Sequence, residues 1–322
     1  MKIWPGSSKT PSSRAGKIRH LLPGLLLVGL TGQALAQDLE PRRWSHLPTG
    51  LNVIGVASAY TDGDIYLDPI LLAEDVTFEI YTAGLGYVRT FEMFGKSSRV
   101  DINVPYSTAH WNGLVDGEYA SRRQHGFMDP RVRFSMNLYG APALKGKEYM
   151  AYRQQHPVNT TIGAAIAVTL PLGVYDDDKL LNLGRTRTVI RPQIGVLHQR
   201  QKWQVELTGS VFLYQDNDEF WEGNELEQDP MWFAQAHAIY AIKPGWWTSI
   251  SAGYAYDGEG QVNGVSKPLT SQRQLYLALS LGVPISRTQG LKFAWLGSRT
   301  NTSAGSDYDA FVVSWSMNWG GK

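Results

Sequence analysis

Cysteine is missing from all 322 residues of the chain. That removes a disulfide framework, a thiolate zinc site and a lipid-anchored cysteine from consideration. Beyond residue 36 there is also no run of about 18 or more apolar residues, so no helix long enough to span a bilayer can be drawn. Helical amphipathic runs longer than about three turns are lacking too. The motifs of nucleophile elbows, His-Glu-x-x-His metal sites, phosphate loops and dinucleotide-binding turns do not occur. His46, His110, His125, His156, His198 and His237 are scattered without metal-ligand spacing. Neither a cofactor nor a metal is therefore expected, and the chain is read as a non-enzyme.

What is present begins with the first 36 residues. Lys2, Lys9, Arg14, Lys17 and Arg19 form a basic head, Leu21 to Leu30 an apolar core, and Ala34-Leu35-Ala36 a small-x-small cleavage site. The core is too short to span a bilayer. Residues 1–36 are thus read as a cleavable secretion signal and residues 37–322 as one domain. Without those five cations the chain keeps 25 basic against 29 acidic side chains, a net charge of −4. Such a balance leaves no basic footprint for nucleic acid.

Along the mature chain, apolar and polar residues alternate with period two, the pattern of a strand with two different faces. Val132, Phe134, Met136 and Leu138 alternate with Arg131, Arg133, Ser135, Asn137 and Tyr139. Leu275, Leu277, Leu279, Leu281 and Val283 alternate with Gln274, Tyr276, Ser280 and Gly282. About twelve strands follow, near 51–60, 76–90, 98–109, 128–139, 160–174, 187–198, 203–214, 230–242, 246–256, 271–283, 291–298 and 309–319. Gln199 to Lys202, Lys243 to Gly245 and Pro284 to Gly290 read as short turns. Asp62 to Asp75, His110 to Gly126, Asp176 to Thr186, Gln215 to Asp229 and Asp257 to Thr270 read as long polar loops. Gly140 to Val158 is an exception, long on the short-turn side, with a helix expected around Lys147 to Gln154. Pro105, Pro171 and Pro192 are expected at strand ends or bulges, because each lacks a ladder N–H.

Short turns on one rim, long loops on the other and an even strand number are the plan of an outer-membrane barrel. Tyr and Trp near the strand ends, among them Tyr60, Tyr139, Tyr175, Trp203, Trp246 and Trp319, suit the two membrane interfaces. With a signal for export and no spanning helix, a closed sheet is the remaining way to satisfy every backbone group in hydrocarbon. The fold class is all-β: an antiparallel transmembrane β-barrel of about twelve strands in the bacterial outer membrane.

The polar strand faces should then point into the lumen. Candidate lumen-lining residues are Asp101, Asn103, Arg131, Arg133, Arg191, Gln193, Glu206, Gln235 and His237. Asp101 and Asn103 are expected beside Arg131 and Arg133 on neighbouring strands, and Arg191 beside Glu206 across a tight turn. An arginine near the bilayer midplane costs about 2–4 kcal/mol facing lipid, which sets the inward orientation. These charges could either line a conducting wall or brace the barrel by ion pairing. The acidic run Asp176-Asp177-Asp178 reads as a solvated loop or as a site for divalent cations that also bridge lipopolysaccharide.

The stretch Leu170-Pro171-Leu172-Gly173-Val174-Tyr175-Asp176, followed by Lys179 to Gly184, resembles the proteobacterial family described as "putative MetA-pathway of phenol degradation". Val104-Pro105-Tyr106, Asp129-Pro130, Ala141-Pro142-Ala143-Leu144, Asp216-Asn217-Asp218 and Leu226 to Pro230 add to the resemblance, which runs over most of the mature chain. It implies an outer-membrane channel for small molecules, linked to uptake of aromatic or other hydrophobic compounds by passive diffusion through the barrel. A structural or adhesion barrel with a filled lumen is the alternative, and an outer-membrane enzyme a third reading. Partners expected on this reading are outer-membrane lipids, lipopolysaccharide and the barrel-insertion machinery. One departure is the C-terminus, where Trp319 is followed by Gly320-Gly321-Lys322 rather than ending the chain.

Overall fold

The alternating segments form strands that close on themselves. The computed structural model describes residues 39–66, 73–115, 117–267, 270–302 and 305–321. The expected signal over 1–36 lies outside the described residues. In chain order the elements are β1 (Leu51–Tyr66), β2 (Ala73–Met93), β3 (Lys96–Val115), β4 (Glu118–Phe127), β5 (Arg131–Tyr139), α1 (Gly146–Gln155), β6 (Val158–Thr169), β7 (Val189–Arg200), β8 (Trp203–Tyr214), β9 (Asn217–Phe220), β10 (Asn224–Gln228), β11 (Met231–Lys243), β12 (Trp246–Asp257), β13 (Gly260–Val262), β14 (Val265–Lys267), β15 (Gln272–Pro284), β16 (Gln289–Thr300) and β17 (Gly305–Gly320).

Twelve of these make the wall: β1, β2, β3, β5, β6, β7, β8, β11, β12, β15, β16 and β17, each antiparallel to its neighbours. Closure comes from the β1–β17 ladder, in register from Leu51↔Gly320 to Tyr66↔Gly305. Both strand termini at Leu51 and Gly320 therefore sit on one rim, together with the tight turns β2–β3, β7–β8 and β11–β12. That rim is periplasmic.

The strand faces are inverted relative to a soluble protein. On β15, Gln274, Tyr276, Ala278 and Ser280 are buried, whereas Leu275, Leu277, Leu279 and Leu281 are exposed. The same exposure of Ile190, Ile194, Val205, Leu207 and Ile250 continues the apolar band around the wall. Rings pair near both edges of the band. Trp203 and Tyr240 lie 4.8 Å apart near the periplasmic turns, and Tyr60 and Tyr81 lie 4.8 Å apart toward the opposite rim.

Most sequence-derived boundaries hold within a few residues, and several segments expected to be loops contain strands as well. The segment from His110 to Gly126, expected to be a loop, is instead a hairpin: β3 runs on to Val115 and β4 returns from Glu118, paired from Val115↔Glu118 to Tyr106↔Phe127. Its alternation was hidden by a polar outer face carrying Ser121, Arg123 and His125. Pro105 lies in β3 opposite the break between β4 and β5. There the register slips by one residue, from Tyr106↔Phe127 to Asn103↔Arg131. Pro192 interrupts the β7–β8 ladder between Ile190↔Leu213 and Gln193↔Ser210. Both prolines sit where a ladder N–H is dispensable. The helix expected around 147–154 is α1. The long loops after β8 and β12 also contain strands, β9–β10 and β13–β14, joined in a second small sheet. Asn263 and Gly264, with φ of 51° and 71°, turn the β13–β14 hairpin.

The topology has a direct check. A single cysteine at Lys202 should label only from the periplasmic side, and one at Asp218 from outside intact cells. The opposite pattern would mean an inverted barrel.

Candidate functional site

The segment from Leu39 to Pro48, just ahead of β1, enters the barrel. Leu39, Glu40, Trp44, Ser45, His46 and Leu47 are all buried. A tight turn over Pro41 to Trp44, closed by Ser45 N–H on Arg42 O at 3.3 Å, compacts the segment. Proline suits this place because it restricts φ and demands no partner for an N–H.

Charged groups of the wall hold this turn. The Glu206 carboxylate on β8 accepts the N–H of Arg43 at 3.0 Å and of Trp44 at 3.5 Å. The Trp44 indole donates to Thr208 Oγ1 at 2.7 Å. Glu40 pairs with Arg43 and, at 3.4 Å, with Arg131 on β5. Arg43 reaches Asp101 on β3 at 3.7 Å, where Arg99 also binds at 3.2 Å. Arg42 lies 5.2 Å over the Trp247 ring on β12. β3 and β12 are six strands apart in the ring of twelve, so the segment crosses the lumen. Two wall glycines make room: a Cβ at Gly163 or Gly195 would collide with the Trp44 ring.

On the periplasmic side the loop around α1 clamps the same segment. Tyr149 donates to His46 O at 2.9 Å, and Thr49 N–H to Leu144 O at 2.8 Å. Burial pushes the His46 pKa down to about 4. The ring is then neutral, and Nε2, 2.8 Å from Pro142 O, must carry the proton it donates to that carbonyl.

All nine sequence-derived candidates point inward. Asp101 and Asn103 lie opposite Arg133 and Arg131. Gln193 lies opposite Ala165. His237, opposite Glu206, contacts Ser251 Oγ through Nδ1 at 2.7 Å and Gln235 Oε1 through Nε2 at 3.1 Å. One pairing is corrected. The β7–β8 register puts Arg191 across from Phe212 and Glu206 across from Leu197. Arg191 instead donates to Ser210 Oγ at 3.1 Å and lies over the Phe212 and Phe233 rings. Antiparallel partners keep a constant sum of residue numbers, and 191 and 206 miss it by six positions. Sequence reasoning also passed over Arg99, Lys292 and the Glu40 to Trp44 turn. Arg99 shares the parity of Asp101, so its inward direction was readable. The turn precedes the first strand and has no periodicity to mark it.

Above the charged layer, toward the long loops, the interior is apolar. Leu39 joins Phe78, Trp111, Phe212, Phe233 and Tyr276 in one buried cluster. Phe233 and Tyr276 meet edge to face at 5.7 Å. The loop after β6 folds over the inner face of β4. Arg122 holds Leu181 O at 2.8 Å and Asp176 at 2.7 Å, and Leu183 N–H binds Gln124 Oε1 at 2.8 Å. Asp178 pairs with Lys179. Among the described residues no group of three or more His, Asp and Glu is placed to hold a metal.

A closed antiparallel barrel with a lipid-facing apolar band, aromatic rims and a polar and aromatic interior is an outer-membrane β-barrel protein, located in the bacterial outer membrane. The chain belongs to the family described as "Putative MetA-pathway of phenol degradation", whose sequence model matches residues 60–316. Its fold is similar to that of a crystallised outer membrane channel from Pseudomonas putida F1. The TM-score is 0.71 at 19% identity, covering 88% of this chain and 100% of that one. The transport unit of the autotransporter AIDA-I from Escherichia coli is similar at a TM-score of 0.51 and 10% identity, over 89% of this chain and 94% of that one. No curated protein matches the sequence.

Proposed function

We propose that the protein is an outer-membrane channel for small apolar compounds, aromatic ones among them. The observation that carries this reading is the aromatic cluster inside the extracellular half of the barrel, above a segment that crosses the lumen. A conduit for hydrophilic solutes needs a wet, polar bore. Here Phe78, Trp111, Phe212, Phe233 and Tyr276 occupy that level, and their burial favours an apolar ligand. Passage to the periplasm then requires the N-terminal segment to shift. The Ser251–His237 contact, from which a nucleophile reading could start, has the Gln235 amide as third member rather than a carboxylate.

Planar-bilayer recording tests the reading. A small residual ion current is expected, which 1-naphthol blocks and glucose leaves unchanged. Free passage of glucose with no block by naphthol would mark a hydrophilic porin. No current and no binding of either solute would favour a barrel filled for structural reasons.

A further inference from the structure

At the periplasmic rim lies a cavity of about 130 Å³ that the proposed uptake does not use. Three parts of the molecule enclose it. The N-terminal segment contributes Arg42, Ser45 and His46, α1 contributes Arg153, and the wall contributes Gln204 beside the β7–β8 turn. Among the described residues no Asp or Glu lines it.

The lining carries charge and hydrogen-bonding groups that the chain itself leaves unmatched. Among the described residues neither the Arg42 nor the Arg153 guanidinium takes part in a hydrogen bond or ion pair. Arg42 is held instead by its position over the Trp247 ring. Burial, and after it the charge of Arg153, lowers the Arg42 pKa to about 10. Two like charges therefore act on one small space. Glu206 also acts on Arg42, but its carboxylate already accepts the Arg43 and Trp44 amides. Ser45 Oγ, His46 Nδ1 and Gln204 Oε1 are buried with no hydrogen-bond partner among the described residues. Ser45 and His46 are 8% and 2% exposed. The proton of the neutral His46 ring sits on Nε2, bound to Pro142 O, so Nδ1 offers a lone pair. The lining thus combines donors, from two guanidinium groups and a hydroxyl, with acceptors, from an imidazole and an amide. Buried polar groups of this kind are costly unless a partner satisfies them.

From this arrangement we infer that the cavity binds a small oxyanion carrying an O–H, of the hydrogen phosphate class, and that the bound anion locks the N-terminal segment in the lumen. The anion accepts from Arg42, Arg153 and Ser45, and charge-assisted bonds of this type are the strong ones. Its O–H donates to His46 Nδ1 or Gln204 Oε1. A water needs about 10–15 Å³ on the same measure, so a tetrahedral oxyanion fits with waters beside it. The site is complete only while the segment is docked, because Arg42, Ser45 and His46 belong to the segment and Arg153 and Gln204 do not. Binding therefore favours the docked state by mass action. At a concentration a hundred times Kd the undocked fraction falls about a hundredfold. This lock is separate from the choice of transported compound.

Calorimetric titration of the full mature barrel in nonionic detergent, with inorganic phosphate and with sulfate at neutral pH, tests the site. Both ionic forms of phosphate near neutrality keep an O–H, and sulfate has none. Phosphate should bind about tenfold tighter than sulfate, the scale of one buried acceptor left facing an oxygen lone pair. Arg153→Gln, a change on α1 outside the wall, should weaken phosphate about tenfold. Ser45→Ala should weaken it in the same direction and covers the case that Arg153→Gln disturbs the helix. Amide hydrogen exchange over residues 39–48 reads the lock, and saturating phosphate should slow it many-fold. Equal affinity for phosphate and sulfate would overturn the O–H requirement. Absence of phosphate binding, or binding that both variants leave unchanged, would overturn the site. Binding with unchanged exchange over residues 39–48 would overturn the lock.

Discussion

Removing residues 39–48 from the mature chain is expected to raise single-channel conductance many-fold while the barrel still folds. The segment bridges β8, β5, β3 and β12 through Glu206, Arg131, Asp101 and Trp247, so an ion must pass around it. The wall does not depend on it. The ladder that closes the barrel begins at Leu51↔Gly320, after the segment has left the lumen. Deletion would take the Arg43 and Trp44 N–H donors from Glu206, Glu40 from Arg131, and Arg43 from Asp101, which keeps Arg99. These wall groups would then face water in an opened bore rather than an apolar void, so the penalty for unpaired buried charge is largely avoided. With Arg99, Arg131, Arg133 and Arg191 on the exposed wall, the opened pore should prefer anions. Arg133→Glu in the deleted background should move the reversal potential in a salt gradient toward cations. An unchanged conductance on deletion would show that the segment does not close the pore.

Trp44→Ala should have the next largest effect, through the same contact surface but without shortening the chain. Trp44 is 1% exposed, donates to Thr208 and carries Arg133 at 5.3 Å over its ring. Truncating a buried tryptophan costs about 3–5 kcal/mol. That cost falls on docking of the segment, because Trp44 belongs to no strand of the wall. The segment should therefore leave the lumen for a measurable fraction of the time. Trypsin, to which Arg42 and Arg43 are shielded in the docked state, should cut there in the variant, and current records should show frequent openings. Gly195→Val should give the same phenotype from the other side, since its Cβ would collide with the indole. Identical protease resistance in both variants and the parent would mean that Trp44 does not hold the segment.

The two variants act on a part of the molecule that pattern reading did not reach, and the reason is physical. Alternation is a local property, set by which face of a strand meets lipid. It therefore revealed β15, β5 and β17 and assigned Arg131, Arg133, Asp101, Asn103, Gln193, Glu206, Gln235 and His237 to the interior. The parity of a strand does not say what stands opposite. The Arg191–Glu206 pairing failed because it needed the register of the β7–β8 turn, and a displacement of a few residues changes every partner. The hairpin from His110 to Gly126 has the pattern of a loop because outward residues such as Ser121, Arg123 and His125 are polar, and beyond the apolar band that is what water requires.

The amino-acid order by itself determined that this chain is a barrel of about twelve strands, which residues face lipid and which rim carries the long loops. These follow from period-two patterning, turn chemistry and the absence of any spanning helix, all legible within short windows. Only the tertiary structure decided that the bore is crossed by the Leu39 to Pro48 segment. It also decided that the charged wall braces that segment at Glu206 and Asp101, and that an aromatic chamber lies above it. Those features join residues far apart in the chain, 91 positions for Glu40 and Arg131 and 164 for Trp44 and Thr208. They depend on which strands closure brings face to face across the lumen, and no local pattern encodes that distance.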